Sequence, residues 1–148
     1  MHNIIIIIGH GNYATGLKSS IELISGASDG LYAIDFIEND SDLTLKYKIK
    51  KILDQYHDLP ALIVSDIVGG TPFKVAAEFA VSGDKKIELV AGCNLSALLE
   101  IVLQKDELTI AELAGLAIKT TKNSVLNFTQ YNEDYKNDGS TEKMKEGI

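Results

Sequence analysis

Residues 4–8 are five consecutive isoleucines, closed by Gly9-His10-Gly11. Every side chain in the run is β-branched and apolar, which favours extended backbone, and no polar residue alternates with them. Such a strand has no face it can show to water. It reads as a strand buried on both sides, the situation of an interior strand in a parallel sheet covered by helices above and below.

The chain downstream alternates in the way that reading requires. Between Ala14 and Ile24, Leu17, Ile21 and Ile24 share one helical face, and Gly26 stands where a helix stops. Leu31 to Phe36 reads as a second strand, and Ser41-Asp42 offers an N-cap for a helix running to about Tyr56. Lys46, Lys48, Lys50 and Lys51 then form a solvated helix face. Pro60 introduces a third strand, Ala61 to Ser65, which ends in Asp66-Ile67-Val68-Gly69-Gly70-Thr71-Pro72. There Thr71 is expected as N-cap and Pro72 as the first helical residue. Ile87 to Ala91 makes a fourth strand, followed by Gly92-Cys93-Asn94 and a helix near Ser96 to Gln104. A further helix, capped by Thr109, spans about Ile110 to Lys122, and Ser124 to Phe128 reads as a last short strand. Beyond Thr129 the chain turns polar, and little fixed structure is expected.

Strands alternating with helices through short loops imply a single doubly wound α/β domain over residues 1–128, with a polar, flexible tail over 129–148. The expected sheet is mostly parallel and four-stranded, in the order 2-1-3-4, with helices on both faces and an extra antiparallel C-terminal strand. The length of 148 residues suits one core.

Charge and composition narrow the partners. With 14 basic and 21 acidic residues the formal charge is −7, and no basic stripe is present, which argues against nucleic acid. All the basic residues are Lys, so any anion site must rely on backbone N–H groups, hydroxyls or Lys instead of a guanidinium fork. The single cysteine, Cys93, excludes an internal disulfide and a Cys-rich zinc site. Met1-His2-Asn3 lacks a positively charged leader, and the isoleucine run is far too short to span a bilayer, so a cytoplasmic protein is expected.

In a doubly wound sheet, ligands bind beyond the carboxyl ends of the strands where strand order reverses. With strands one and three as neighbours, His10 and Asp66 face each other across that crevice. A histidine between two glycines is uncrowded, and a neutral imidazole is a nucleophile. A carboxylate on one ring nitrogen fixes the tautomer and stabilises the positive ring that forms when the other nitrogen attacks. Gly69, Gly70 and Thr71 open a helix, presenting free N–H groups with the helix dipole behind them and a hydroxyl alongside, as a phosphoryl group needs. Asn94 reads either as a helix cap or as a supporting polar group near His10. His2 lies at the chain start and His57 in a polar helix-end segment, so neither has comparable surroundings. No metal cluster or P-loop is present, and no cofactor is implied.

Each feature also has an ordinary structural reading: turn glycines, a capping aspartate, a core histidine. A competing pattern exists as well, because Gly9-His10-Gly11-Asn12-Tyr13-Ala14 satisfies the G-x-G-x-x-A dinucleotide fingerprint, with Asp35 about 20 residues on. Against it, an imidazole fills the tight turn where a pyrophosphate would approach, and a dinucleotide site leaves Asp66 to Pro72 unexplained.

The combination Ile-Ile-Gly-His10-Gly, then Asp66-x-x-Gly-Gly-Thr-Pro-Phe73, then Ala-Gly-Cys-Asn94-Leu resembles the IIA component of the mannose family of the bacterial sugar phosphotransferase system. The match runs in order and spacing over roughly residues 1 to 128, with Ile-Asp35-Phe36 as the second strand. The resemblance implies that His10 accepts a phosphoryl group from the phosphocarrier protein HPr and hands it to a IIB component. Membrane IIC and IID components take part indirectly, during sugar uptake. It implies that Asp66 orients the ring and that the Thr71 hydroxyl lies close to the phosphoryl group. It also implies a homodimer, in some members with a terminal strand exchanged, here the segment from Ser124 to Phe128. IIB is expected to be a separate polypeptide. A phosphotransfer subunit serving dihydroxyacetone kinase is a related alternative, although that pattern has Ser-His-Ser and lacks the Gly-Gly-Thr-Pro run. A regulatory or binding module that reports its phosphorylation state without taking part in transport is another.

Overall fold

The isoleucine run sits at the centre of the sheet. In the computed structural model, which describes residues 1–26, 28–83 and 85–138, strand β1 (Ile4–His10) pairs in parallel with β2 (Leu31–Phe36) on one side and β3 (Ala61–Ser65) on the other. Strand β4 (Ile87–Ala91) pairs in parallel with β3, giving the order β2-β1-β3-β4. Strand order reverses beside β1, so the carboxyl ends of β1 and β3 open a crevice between them.

The period of two along β1 feeds two separate cores. Ile5 and Ile7 pack against α1 (Tyr13–Ser25), α4 (Leu95–Gln104) and α5 (Ile110–Ser124), among Ala14, Ile21, Leu98, Ile101 and Leu113. Ile4, Ile6 and Ile8 pack against α2 (Asp42–Gln55) and α3 (Thr71–Val81), among Leu45, Ile49, Leu53, Val75 and Ala76. All five isoleucines are fully buried. Each buried side chain of this size contributes roughly 1.5–3 kcal/mol, and the run supplies members of both cores.

The helices end where their residues dictate. Gly26 takes a left-handed conformation (φ 73°) and its N–H reaches Glu22 O, closing α1. Ser41 with Thr44, and Thr109 with Glu112, form reciprocal capping boxes at α2 and α5. The α3 start differs from expectation by one residue: Gly70 is the N-cap, in extended backbone (φ −73°, ψ 170°), and Thr71 is the first helical residue. No side chain caps this helix, so its leading N–H groups stay open.

Two expectations for the C-terminal part are corrected. Residues 124–128 form no strand: Ser124 ends α5, and Val125 and Asn127 have extended backbone without a ladder partner. Extended dihedrals become a strand only through pairing, and among the described residues nothing pairs there. Asn127 instead accepts from Gln130 N–H at 3.2 Å and caps α6 (Phe128–Asn137), which replaces the first part of the expected flexible tail. Tyr135 anchors α6 at 9% exposure. Residues 139–148 of that tail lie outside the described residues.

At the opposite end of the sheet, buried Asn3 donates to the carbonyl oxygens of Lys105 (2.5 Å) and Leu108 (2.9 Å), tying the chain start to the α4–α5 turn. Among the described residues no helix is long and apolar enough to cross a membrane.

Candidate active site

The register of β1 against β3 puts Ile8 beside Ser65, so the next residues, Gly9-His10 and Asp66, leave the sheet side by side. Asp66 N–H donates to Ile8 O at 3.2 Å, and Gly92 N–H donates to the Ser65 and Asp66 carbonyl oxygens at 3.1 Å each. The loop after β3 is thereby pinned between its neighbours. Gly92 manages this at φ 80°, a left-handed conformation that a β-carbon would strain.

Asp66 Oδ2 accepts from the His10 backbone N–H at 2.9 Å and from His10 Nδ1 at 2.6 Å. Its other oxygen, Oδ1, accepts from Ile67 N–H at 2.9 Å. Burial pushes the Asp66 carboxyl up, but the hydrogen bonds from His10 and Ile67 together outweigh it and hold the group below the usual carboxylate range. An ionised Asp66 requires Nδ1 to carry its proton, which leaves Nε2 as the ring's basic nitrogen. The His10 side chain is 47% exposed against 11% for Asp66, so the imidazole is reachable from solvent and its carboxylate partner is covered.

Two further contacts hold the ring. Phe36 at the end of β2 meets it edge-on, at 5.7 Å between centroids and 88° between planes. On another side lies Gly70, where an added β-carbon would stand 3.0 Å from His10 Cε1. Gly69, at φ 82°, turns the chain into this approach. The uncapped start of α3 and Thr71 follow, and Thr71 and Phe36 both line a cleft of about 420 Å³ with Ser41, Asp42, Lys74, Val75 and Glu78.

Of the residues singled out from sequence, His10, Asp66 and Gly70 come into direct contact, with Gly69 and Thr71 on the same loop and helix start. Asn94 does not join them. Its Oδ1 caps α4 through Ala97 N–H at 3.1 Å, and its Nδ2 donates to Ser124 Oγ at 2.8 Å. His57 is exposed, with Asp58 at 3.0 Å as its ionic neighbour, and the His2 backbone N–H donates to Asp106.

The residues that sequence reasoning missed are supports. Asp35 accepts from Thr15 N–H at 3.0 Å and from Thr15 Oγ1 at 2.6 Å, so both its oxygens are committed to the first turn of α1. That favourable placement of a carboxylate at a helix start explains the fingerprint-like spacing without a ribose. Tyr13 packs on Gly9 and donates to the Cys93 carbonyl oxygen at 3.3 Å. Cys93 itself is buried; burial pushes its thiol up, partly countered by a hydrogen bond with Thr121, so it is no thiolate nucleophile. Among the described residues no group of acidic, His and Cys side chains is arranged to hold a metal ion.

A sequence profile of the family described as PTS system fructose IIA component matches residues 4–118. The chain is 34% identical over 110 residues to the PTS system fructose-specific EIIA component of Bacillus subtilis (strain 168), covering 74% of this chain and 75% of that one. It is 29% identical over 115 residues to the PTS system sorbose-specific EIIA component of Lacticaseibacillus casei, covering 78% and 83%. Among solved structures, phosphotransferase system component EIIA from Streptococcus agalactiae matches with a TM-score of 0.81 and 32% identity, over 86% of this chain and 98% of that one.

Proposed function

The chain belongs to the mannose-family IIA components of the bacterial sugar phosphotransferase system, and on that premise we propose that it is a phosphohistidine relay whose acceptor atom is His10 Nε2. The observation that carries this reading is the double hydrogen bond from His10 to Asp66 Oδ2, which occupies Nδ1 and leaves Nε2 as the free ring nitrogen of a half-exposed side chain. The Nε2 lone pair attacks the phosphorus of a phosphoryl group held by HPr; a P–N bond forms as the bond to the carrier breaks. The ring becomes cationic, and ionised Asp66 stabilises it through Nδ1–H. Open N–H groups at the start of α3 and the Thr71 hydroxyl meet the phosphoryl oxygens, supplying fixed dipoles where arginine is lacking. Transfer to a IIB component then restores the neutral ring.

In this reading residues 1–128 form the relay unit, the protein works in the cytoplasm as a homodimer, and membrane IIC and IID components meet it only through IIB. The family's names span fructose and sorbose, and a IIA component touches proteins instead of sugar, so the sugar class follows from its IIB partner.

The test is phosphorylation with phosphoenolpyruvate, the general phosphotransfer enzyme and HPr. One acid-labile phosphoryl group per chain is expected, lost in His10→Ala and retained in His2→Ala and His57→Ala. Labelling at His57, or none in the unmodified protein, overturns the reading.

A further inference from the structure

Behind the His10–Asp66 pair stands a residue to which the relay reading gives no part. Tyr13 is the first residue of α1, and its ring lies against the backbone of Gly9. A β-carbon built on Gly9 would stand 2.4 Å from Tyr13 Cδ1 and 2.9 Å from Cγ. The same carbon would stand 3.0 Å from the Asp66 β-carbon, so ring and carboxylate stem crowd over one residue that has no side chain. At its far end Tyr13 Oη donates to the Cys93 carbonyl oxygen, just beyond β4. Tyr13 therefore belongs to the β1–α1 turn, packs beside the loop after β3, and bonds to the loop after β4.

The chemistry of the phenol separates support from catalysis. Burial, and then the neighbouring Cys93 and Asp66, push it up to about 12. It stays a neutral donor at working pH and exchanges no proton with the ring.

We propose that Tyr13 is a positioning residue whose ring walls in Asp66, keeping the carboxylate in the one orientation where Oδ2 meets both His10 N–H groups. Without the wall, Asp66 has room to turn toward water. Nδ1 then loses its fixed acceptor, and a free imidazole populates both tautomers, so part of the protein presents Nε2 protonated and unable to attack. The kinetic half of this inference rests on the relay reading; the tautomer half does not.

The experiment compares the unmodified protein, Tyr13→Phe, Tyr13→Leu and Asp66→Asn by long-range proton–nitrogen NMR of the His10 ring, with phosphorylation kinetics from HPr. Tyr13→Phe keeps the ring and is expected to retain the Nδ1–H tautomer, with kcat within about twofold. Tyr13→Leu is expected to show mixed tautomers, as Asp66→Asn does, with kcat lowered about tenfold and KM for HPr unchanged. Tyr13→Met, which fills a similar volume without a flat ring, serves in its place should the Leu variant fail to fold. A wild-type tautomer ratio in the folded Leu or Met variant overturns the proposal, whatever the rate. Lack of phosphorylation in the unmodified protein overturns the relay reading instead and leaves the tautomer comparison decisive for Tyr13.

Discussion

One oxygen of Asp66 receives two hydrogen bonds from His10, from the backbone N–H at 2.9 Å and from ring Nδ1 at 2.6 Å. The backbone bond ties the carboxylate to the strand end that carries the imidazole. In the proposed relay, orientation and charge stabilisation thus reside in a single atom.

Asp66→Asn preserves size and Ile67 capping but replaces an ionised acceptor with an amide. Phosphorylation of His10 is expected to slow on the order of 10²-fold, because the cationic ring loses its counter-charge and the tautomer its anchor. Circular dichroism and the melting temperature should show a retained fold. Unchanged transfer kinetics would remove Asp66 from the mechanism.

Gly69 and Gly70 make opposite predictions although they are adjacent. Gly70 has φ −73°, which any residue adopts, yet an added methyl would press on His10 Cε1 at 3.0 Å and Ile67 Cγ1 at 3.3 Å. Gly70→Ala should cost little stability and slow transfer severalfold. Gly69 has φ 82° with open space around it, so Gly69→Ala should cost about 1 kcal/mol by backbone strain and disturb the ring less. Denaturant melts paired with transfer rates distinguish the two.

Gly9→Ala places a methyl inside the Tyr13 ring, 2.4 Å from Cδ1. A loss of roughly 1–3 kcal/mol is expected from overpacking, since Gly9 is buried and the added carbon would meet the Tyr13 ring and the Asp66 β-carbon. Combining it with Tyr13→Leu should recover part of that stability. Simple additivity in urea unfolding would show that the clash lies elsewhere.

Acid sensitivity has an assignable source. Asp106 is held down to about 2, first by Lys105 and then by the His2 backbone N–H, and Asp66 is also lowered. A carboxylate depressed in the folded state stabilises it fully above its unfolded value and loses that contribution as pH falls through the folded one. Stability should therefore decline between about pH 4 and pH 2. The Asp106 side chain is 42% exposed, so solvent screening reduces its share to about 1 kcal/mol. Urea midpoints at pH 5 and pH 2.5 check this: Asp106→Asn should be less stable at pH 5 and show a smaller drop on acidification.

The strands β2, β3 and β4 end where the residue pattern places them, since apolar runs bounded by Gly, Pro and Ser carry their own limits. The His10–Asp66 pair was legible for a related reason. Loops at the carboxyl ends of neighbouring parallel strands must meet, and each carried a residue fit for chemistry. Ser124 to Phe128 misled because a β-rich composition says nothing about whether a partner strand is within reach; the helix-capping Asn127 was the overlooked signal. Asn94 was ambiguous in sequence, and its amide went to α4 and Ser124.

From the order of residues alone came the two-sided burial of β1, the parallel alternation and the candidate imidazole His10 at the end of β1, because periodicity and punctuation act over a few neighbours. Only the folded molecule decided which nitrogen of that imidazole is free, that Asp35 serves Thr15, and that Tyr13 packs on Gly9 and bonds to the Cys93 carbonyl oxygen. Those hydrogen bonds join positions 20 to 80 residues apart. They depend on strand register and on the close approach of the Tyr13 ring to Gly9, which exist only once the sheet has closed around them.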